Sequence, residues 1–134
     1  MPTETKATGH PYERLQAWAA CHELVIAIYR ATQSWPKTEQ YGLISQVRRA
    51  AFSAAVNICE GSMRRGSKEF RRFLDISLGS LSELSYTLRL ATDLGYVDPA
   101  KATELEIARD HAGRVTWGLY RAISRSTDGK KKLE

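Results

Sequence analysis

Proline is scarce in this 134-residue sequence and occurs only at positions 2, 11, 36 and 99. Between these positions the apolar residues recur at intervals of three and four, which is the period of an amphipathic helix. Because proline interrupts helices, its rarity leaves long stretches of the chain free to form them. The sequence therefore predicts an all-α protein.

Cysteines and long apolar runs are scarce as well. The two cysteines, Cys21 and Cys59, have neither CxxC nor Cys/His ligand spacing near them, so we expect reduced core residues. No segment approaches the ~20 apolar residues of a membrane span, and residues 1–11 lack the apolar centre of a signal peptide. We therefore expect a cytoplasmic protein whose core needs neither metal nor disulfide.

Motifs for metal binding and catalysis are missing. The Glu-to-His spacing of three residues used by ferritin-like sites fails, because Ala19 precedes His22 and Ala108 precedes His111. His10 and Glu13 have the reverse spacing. The sequence shows no nucleophile elbow, Walker loop or paired-carboxylate arrangement. These absences predict no catalytic residue, no metal and no cofactor, and hence a protein that is not an enzyme.

Four helices account for the apolar pattern. The first two are predicted over residues 13–34 and 39–60, with Gly61 as a left-handed stop after the second. The second helix has an alanine-rich inward row, which lets a neighbouring helix approach closely. The inward residues are Leu15, Trp18, Val25, Ile28 and Tyr29 in the first helix, and Leu43, Val47, Ala50, Ala54 and Ile58 in the second.

The third and fourth helices carry a four-three seam that matches antiparallel helix packing. Ser67 is the expected N-cap of the third helix, Gly95 its stop, and Asp98-Pro99 the start of the fourth. The seam residues are Phe70, Leu74, Ser77, Leu81, Leu84, Leu88 and Ala91, followed by Leu105, Ala108, Ala112, Val115, Leu119 and Ala122. The short connections predict an up-down-up-down four-helix bundle over residues 12–125, between a flexible segment 1–11 and a flexible basic tail 126–134.

The net charge of +5 is concentrated in one segment. Residues 48–72 hold seven Lys or Arg and two acids, whereas residues 1–47 and 73–134 are each neutral. Such a patch attracts polyanions, and five of its bases lie close together: Arg64, Arg65, Lys68, Arg71 and Arg72. We predict that these five contact nucleic-acid phosphates; the alternative is a solvated surface. Phe70 and Phe73 are expected inside the bundle, so base stacking is not predicted.

A second polar set lies within the second helix. Arg48 and Arg49 stand beside alanines, so at least one guanidinium group needs an acceptor near the core or at a subunit contact. Glu60 is the candidate, but it lies too far along the same helix, and the pair must form with another helix or subunit. We predict a structural network with these members: Gln46, Arg48, Arg49, Asn57 and Glu60.

Several motifs resemble the four-helix-bundle family associated with intervening sequences of 23S ribosomal RNA. The resemblance covers residues 12–125 and rests on these positions: the run 41–51, Ser53, Asn57, Ile58, Glu60, Gly61, Phe70, Arg72, Phe73, Leu74, the runs 79–84 and 94–96, and Trp18. The family often has proline where this chain has Ala55, so we expect a straighter second helix here.

The resemblance implies a homopentameric barrel with a basic surface. Accessory variability proteins of diversity-generating retroelements, which are similar, bind a reverse transcriptase and nucleic acid. Two hypotheses follow: an oligomeric adaptor that binds RNA or DNA, or a scaffold for an acidic protein such as a reverse transcriptase. Apolar residues off the seams also favour subunit contacts: Ile44, Phe52, Phe73, Ile76, Trp117 and Tyr120.

Overall fold

A computed structural model describes residues 8–133, with side chains up to residue 126. The described chain consists of helices joined by short turns and contains no strand. The four α-helices are α1 (Gln16–Thr32), α2 (Leu43–Ser62), α3 (Ser67–Asp93) and α4 (Pro99–Leu133), and short 3-10 helices span Pro11–Arg14 and Lys37–Glu39. Each α-helix packs against two others, α1 on α2 and α4, and α3 on α2 and α4. The predicted four-helix bundle is confirmed.

Flexible segments were predicted at both ends of the chain. Most of the predicted flexible segment 1–11 lies outside the described residues. The backbone of α4 continues to Leu133, through most of the predicted tail 126–134, whose flexibility stays a prediction. None of the described helices combines the length and apolar character needed to cross a membrane.

The inward face of α1 differs from the predicted one. Leu15, Trp18 and Val25 are only half-buried and Tyr29 is exposed, so Ile28 alone of the predicted row is buried. The sequence reading followed the largest side chains, but the close approach of α2 and α4 selects smaller ones. The buried residues are Ala17, Cys21, Leu24, Ile28 and Thr32.

The predicted boundaries between α2 and α3 were wrong by a few residues. Gly61 is not a left-handed stop but a buried residue of α2, and a Cβ added there would lie 2.9 Å from Phe70 Cδ1 and Phe73 Cβ. The left-handed glycine is Gly66, with φ of 91°, and it occupies the N-cap of α3. Ser67, the predicted cap, is the first helical residue. Gly61 thus serves close helix packing, and Gly66 makes the turn.

The other end of α3 agrees with the prediction. Gly95 has φ of 79°, and the amides of Gly95 and Tyr96 donate to the carbonyls of Thr92 and Ala91. These two hydrogen bonds form a Schellman motif, which ends the helix. Asp98 then caps α4, because its carboxylate accepts the Lys101 amide at 3.0 Å, and Pro99 is the first residue of the helix.

The core follows the predicted seams of α2 and α3. On α3 all seam residues but Phe70 are buried, while the α4 seam is buried at Leu105 and Ala112 and opens further along. Polar bonds lock α2 to α3: Ser77 Oγ donates to the Ala54 carbonyl at 2.7 Å. Two residues expected at subunit contacts, Ile44 and Phe73, are instead buried within this chain.

Candidate nucleic-acid interface

The turn between α2 and α3 gathers the five predicted bases at one end of the bundle. Arg64 and Arg65 lie in the turn itself, and the other three lie within the first two turns of α3. Four are exposed, and Arg71 is half-buried. Because only a few residues join the two helices, the five cations project from a small surface, which we call the basic end: Arg64, Arg65, Lys68, Arg71 and Arg72.

Neutralisation of the basic end from within the chain is slight. Among the described residues its one ion pair joins Arg72 Nε to Glu69 Oε2 at 3.7 Å, and both side chains are largely exposed. Exposed pairs of this kind contribute ~0–1 kcal/mol and are screened by salt. The positive charge therefore remains available to an external anion.

Phe73 orients two of these cations. The Arg64 and Arg72 guanidinium carbons lie 5.1 and 5.3 Å from the centre of its ring. Both distances are within the range of cation–π attraction. The sequence predicted Phe73 both in the interior and at a subunit contact; it is buried within the chain, and its ring also contacts two arginines of the basic end, which was not predicted. The signal was present as the Arg-Phe pair at positions 72 and 73.

Arg71 has an unsatisfied hydrogen-bond donor. Its Nε is buried and has no hydrogen-bond partner in the described structure. A buried donor without an acceptor is costly, more so when it belongs to a charged group. An external anion would supply the acceptor if the half-buried Arg71 side chain turned outward and exposed Nε.

Arg48, a member of the predicted polar network, finds its acceptors on α1. Its Nε donates to Thr32 Oγ1 at 2.8 Å and its Nη2 to the Tyr29 carbonyl at 3.4 Å, with the guanidinium 4.6 Å from the Tyr29 ring centre. These groups lie in the last turn of α1, where carbonyls lack helical partners and the helix dipole favours a cation. The acceptor is thus α1 of the same chain and not Glu60.

The remaining network residues are not brought together within the chain. Asn57 Nδ2 donates to the carbonyl and hydroxyl of Ser53, and Ser53 Oγ lies 2.7 Å from Ser80 Oγ on α3. Gln46, Arg49 and Glu60 are exposed, and no hydrogen bond or ion pair joins them to one another in the described part of the chain. Their role between subunits stays a prediction.

Neither cysteine is activated for chemistry. Burial raises the pKa of Cys21 to about 11, and it also raises the pKa of the half-buried Cys59. A nucleophilic thiol needs a lowered pKa. Over the described residues, no group of three or more His, Cys, Asp or Glu side chains is placed to hold a metal ion.

Fold and surface together define a small helical-bundle protein with one concentrated cationic end. The family model of the 23S rRNA-intervening sequence protein matches residues 13–117. The chain belongs to this family, which confirms the resemblance found in its motifs.

The fold is also similar to a solved structure, a protein of unknown function from the S23 ribosomal protein family of Bacteroides thetaiotaomicron VPI-5482. The TM-score is 0.70 and the identity 17%, over 78% of this chain and 97% of that one. At such low identity the similarity establishes the fold alone. No curated protein matches this chain significantly.

Proposed function

We propose that this protein is a non-enzymatic, oligomeric adaptor that binds RNA or DNA phosphates at its basic end and acts in the cytoplasm. The single observation that carries the proposal is the location of the charge. Residues 48–72 contain the whole +5, and their five clustered cationic side chains surround one turn and form a single weak ion pair within the described part of the chain. The buried Arg71 Nε, which has no partner in the described structure, adds a donor that would gain an acceptor if the side chain turned towards an anion. The two free cysteines fit a reducing compartment.

The proposed architecture is an up-down-up-down bundle assembled into a homopentameric ring. Contacts between successive helices support the first part: Gly61 faces Phe70 and Ser53 faces Ser80, so rising numbers on α2 meet falling numbers on α3. A ring would repeat the basic end in every subunit. Weak phosphate contacts would then combine through effective concentration when one polyanion touches several copies.

An exposed apolar surface supports assembly. Phe52 is 55% exposed and Ile76 42% exposed. Phe52 precedes Ser53, and Ile76 lies one turn before Ser80, so the two side chains flank the Ser53–Ser80 contact that joins α2 to α3. We call Phe52 and Ile76 the α2/α3 face and propose it as a subunit contact.

A salt titration tests the binding function. Affinity for RNA and DNA is expected to fall steeply as salt rises and to vary little with sequence, because phosphate contacts release counterions and read no bases. Replacement of Arg64, Arg65, Lys68 and Arg71 by glutamine is expected to remove most of the affinity. The matched control replaces four exposed cations towards the opposite end of the bundle: Arg30, Lys37, Arg89 and Lys101.

Two controls make the result decisive. Circular dichroism and mass measurements should show unchanged helicity and assembly in the glutamine variant, since most of these side chains are exposed. Equal binding by the wild type and this variant, or no binding by the wild type, would contradict nucleic-acid recognition. The basic end would then belong to the alternative function, a scaffold for an acidic protein such as a reverse transcriptase.

A further inference from the structure

Two aromatic rings on α4 form a stacked pair at the protein surface. The ring centres of Trp117 and Tyr120 are 5.3 Å apart, and their planes differ by 9°. Trp117 is nevertheless 49% exposed, while Tyr120 is half-buried. One face of the indole therefore lies against Tyr120, and within the single chain about half of Trp117 is open to solvent, although both residues were expected at subunit contacts.

The register between α3 and α4 places this pair beside the basic end. Ser85 Oγ on α3 bonds the Glu106 carboxylate on α4. Arg71 precedes Ser85, and Tyr120 follows Glu106, by fourteen residues in each case. Fourteen residues make about four turns and about 21 Å of helix. Arg71 and Tyr120 thus lie level with each other, on the faces through which α3 and α4 meet.

The charges around the aromatic pair favour an anionic partner. Arg71 has the unpartnered Nε, and Arg121, the residue after Tyr120, is exposed without an ion pair among the described side chains. The acidic residues near this end are fewer than the cationic ones, and some of them already form ion pairs. Asp110 pairs with Arg114 at 2.9 Å and Glu69 with Arg72 at 3.7 Å, while Glu60 and Asp75 are exposed.

We infer that the basic end binds single-stranded nucleic acid, with one base stacked on the open face of Trp117 while Arg71 and its neighbours contact phosphates. The inference rests on the proposed function and adds the class of ligand. Aromatic side chains stack readily on unpaired bases, whose faces are accessible, whereas a duplex covers those faces with neighbouring base pairs. This site was not predicted from the sequence because Trp117 lies 45 residues after Arg72, the last cationic residue of the basic end.

Phosphate contact alone has a different signature. A duplex carries a higher linear charge density than one strand, so a purely electrostatic site binds the duplex at least as well. A stacking site reverses this order. Comparison of a single-stranded DNA oligonucleotide with the duplex that it forms with its complement separates the two mechanisms.

The experiment measures binding of both DNA forms to four proteins: wild type, Trp117→Ala, Trp117→Phe and Tyr86→Ala. Tyr86 is the matched control. Like Trp117 it is an exposed aromatic residue, but it lies on α3, beside α4, and towards the opposite end of the bundle. We expect the wild type to prefer the single strand. Trp117→Ala should lose roughly tenfold or more in single-strand affinity, and Trp117→Phe should lose less. Tyr86→Ala should bind as the wild type does.

The salt dependence provides an independent readout. Trp117→Ala should keep the wild-type slope of affinity against salt and the wild-type affinity for duplex, because it removes no phosphate contact. Undiminished single-strand binding by Trp117→Ala overturns the stacking inference while leaving the adaptor function intact. Absence of wild-type binding to both DNA forms and to the RNA of the salt titration overturns both proposals. A mass measurement showing that Trp117→Ala dissociates the oligomer would place Trp117 in a subunit contact and also overturn the inference.

Discussion

Two glycines inside helices differ in how much room they leave for a side chain. Gly61 and Gly79 both lie inside helices, but an added Cβ at Gly61 meets two phenylalanines at 2.9 Å, whereas at Gly79 it meets nothing within 4 Å. Phe70 and Phe73 in turn border the basic end. The sequence alone could not distinguish these glycines, because the distinction depends on the approach of α3 to α2.

The two glycines predict opposite effects of the same substitution. Gly61→Ala should destabilise the protein by about 1–3 kcal/mol through overpacking, partly offset by better helix propensity. Gly79→Ala should stabilise it by roughly 0.5–1 kcal/mol, because alanine restricts the unfolded chain and fits the helix. Urea denaturation of both variants measures the difference. Equal shifts of the same sign would show that α2 and α3 do not approach as described.

Leu84 tests the core at the residue scale. It is fully buried in the seam of α3, so Leu84→Ala should leave a cavity and lower the free energy of unfolding by ~2–5 kcal/mol. Ile107→Ala is the matched control, because Ile107 is 65% exposed on α4. Thermal denaturation should show a clear fall in melting temperature for the first variant and almost none for the second. A similar melting temperature for both would refute the α3 register.

The Cys21 thiol predicts a dependence of stability on alkaline pH. Its folded pKa is about 11, above the ordinary value of a thiol, so the folded state holds the proton more tightly than the unfolded state. This contribution to stability is present below about pH 9 and is lost as the pH rises towards 11. The free energy of unfolding should therefore decline more steeply over this range in the wild type than in Cys21→Ala. Parallel pH profiles would contradict the buried thiol.

At the scale of elements, the sequence predicted α3 and the start of α4 better than α1. A four-three seam of leucines, a Schellman glycine and an Asp-Pro start are local signals, and the structure bears out all three. The predicted inward face of α1 was wrong, because the large Trp18 and Val25 lie at its edge while the smaller Ala17 and Cys21 are buried. Packing between helices decides that choice, and it has no local sequence signal.

The ends of helices offer a prediction of their own. Asp98→Ala removes the carboxylate that accepts the Lys101 amide and should cost about 1 kcal/mol of stability. Arg48→Met keeps the apolar stem but removes the donors to Thr32 and Tyr29 at the end of α1, with a similar expected loss. Chemical denaturation measures both. Asp93→Ala, an exposed change in the last turn of α3, is the control.

The sequence also predicted the candidate site unevenly. The five bases of the basic end follow directly from the charge distribution, because 25 consecutive residues carry the whole net charge. The acceptors of Arg48 could not be predicted, since Thr32 and Tyr29 belong to another helix. The same holds for Trp117, which reaches the basic end only through the pairing of α3 with α4.

At the scale of the whole molecule, assembly is the property most exposed to test. A pentamer of this 15.1 kDa chain has a mass of about 75 kDa, and mass photometry or light scattering at micromolar concentration distinguishes it from a monomer. Phe52→Glu should break the ring by placing a charge on the α2/α3 face. Tyr86→Glu, an exposed aromatic outside that face, should leave the mass unchanged. A wild-type monomer would contradict the proposed ring.

The placement of the helix ends has a practical consequence for labelling. Arg14 to Ala17 line a cleft with Val115, Gly118 and Leu119, so the start of α1 lies beside the later part of α4, towards the basic end. An affinity tag joined ahead of α1 or behind α4 would therefore crowd the cationic surface, and a polyhistidine tag would alter the salt titrations. The turn between Leu94 and Asp98 lies at the far end, where Leu94 is exposed although Val97 is buried. A fluorophore attached to a cysteine substituted for Leu94 would label the protein without competing for the polyanion.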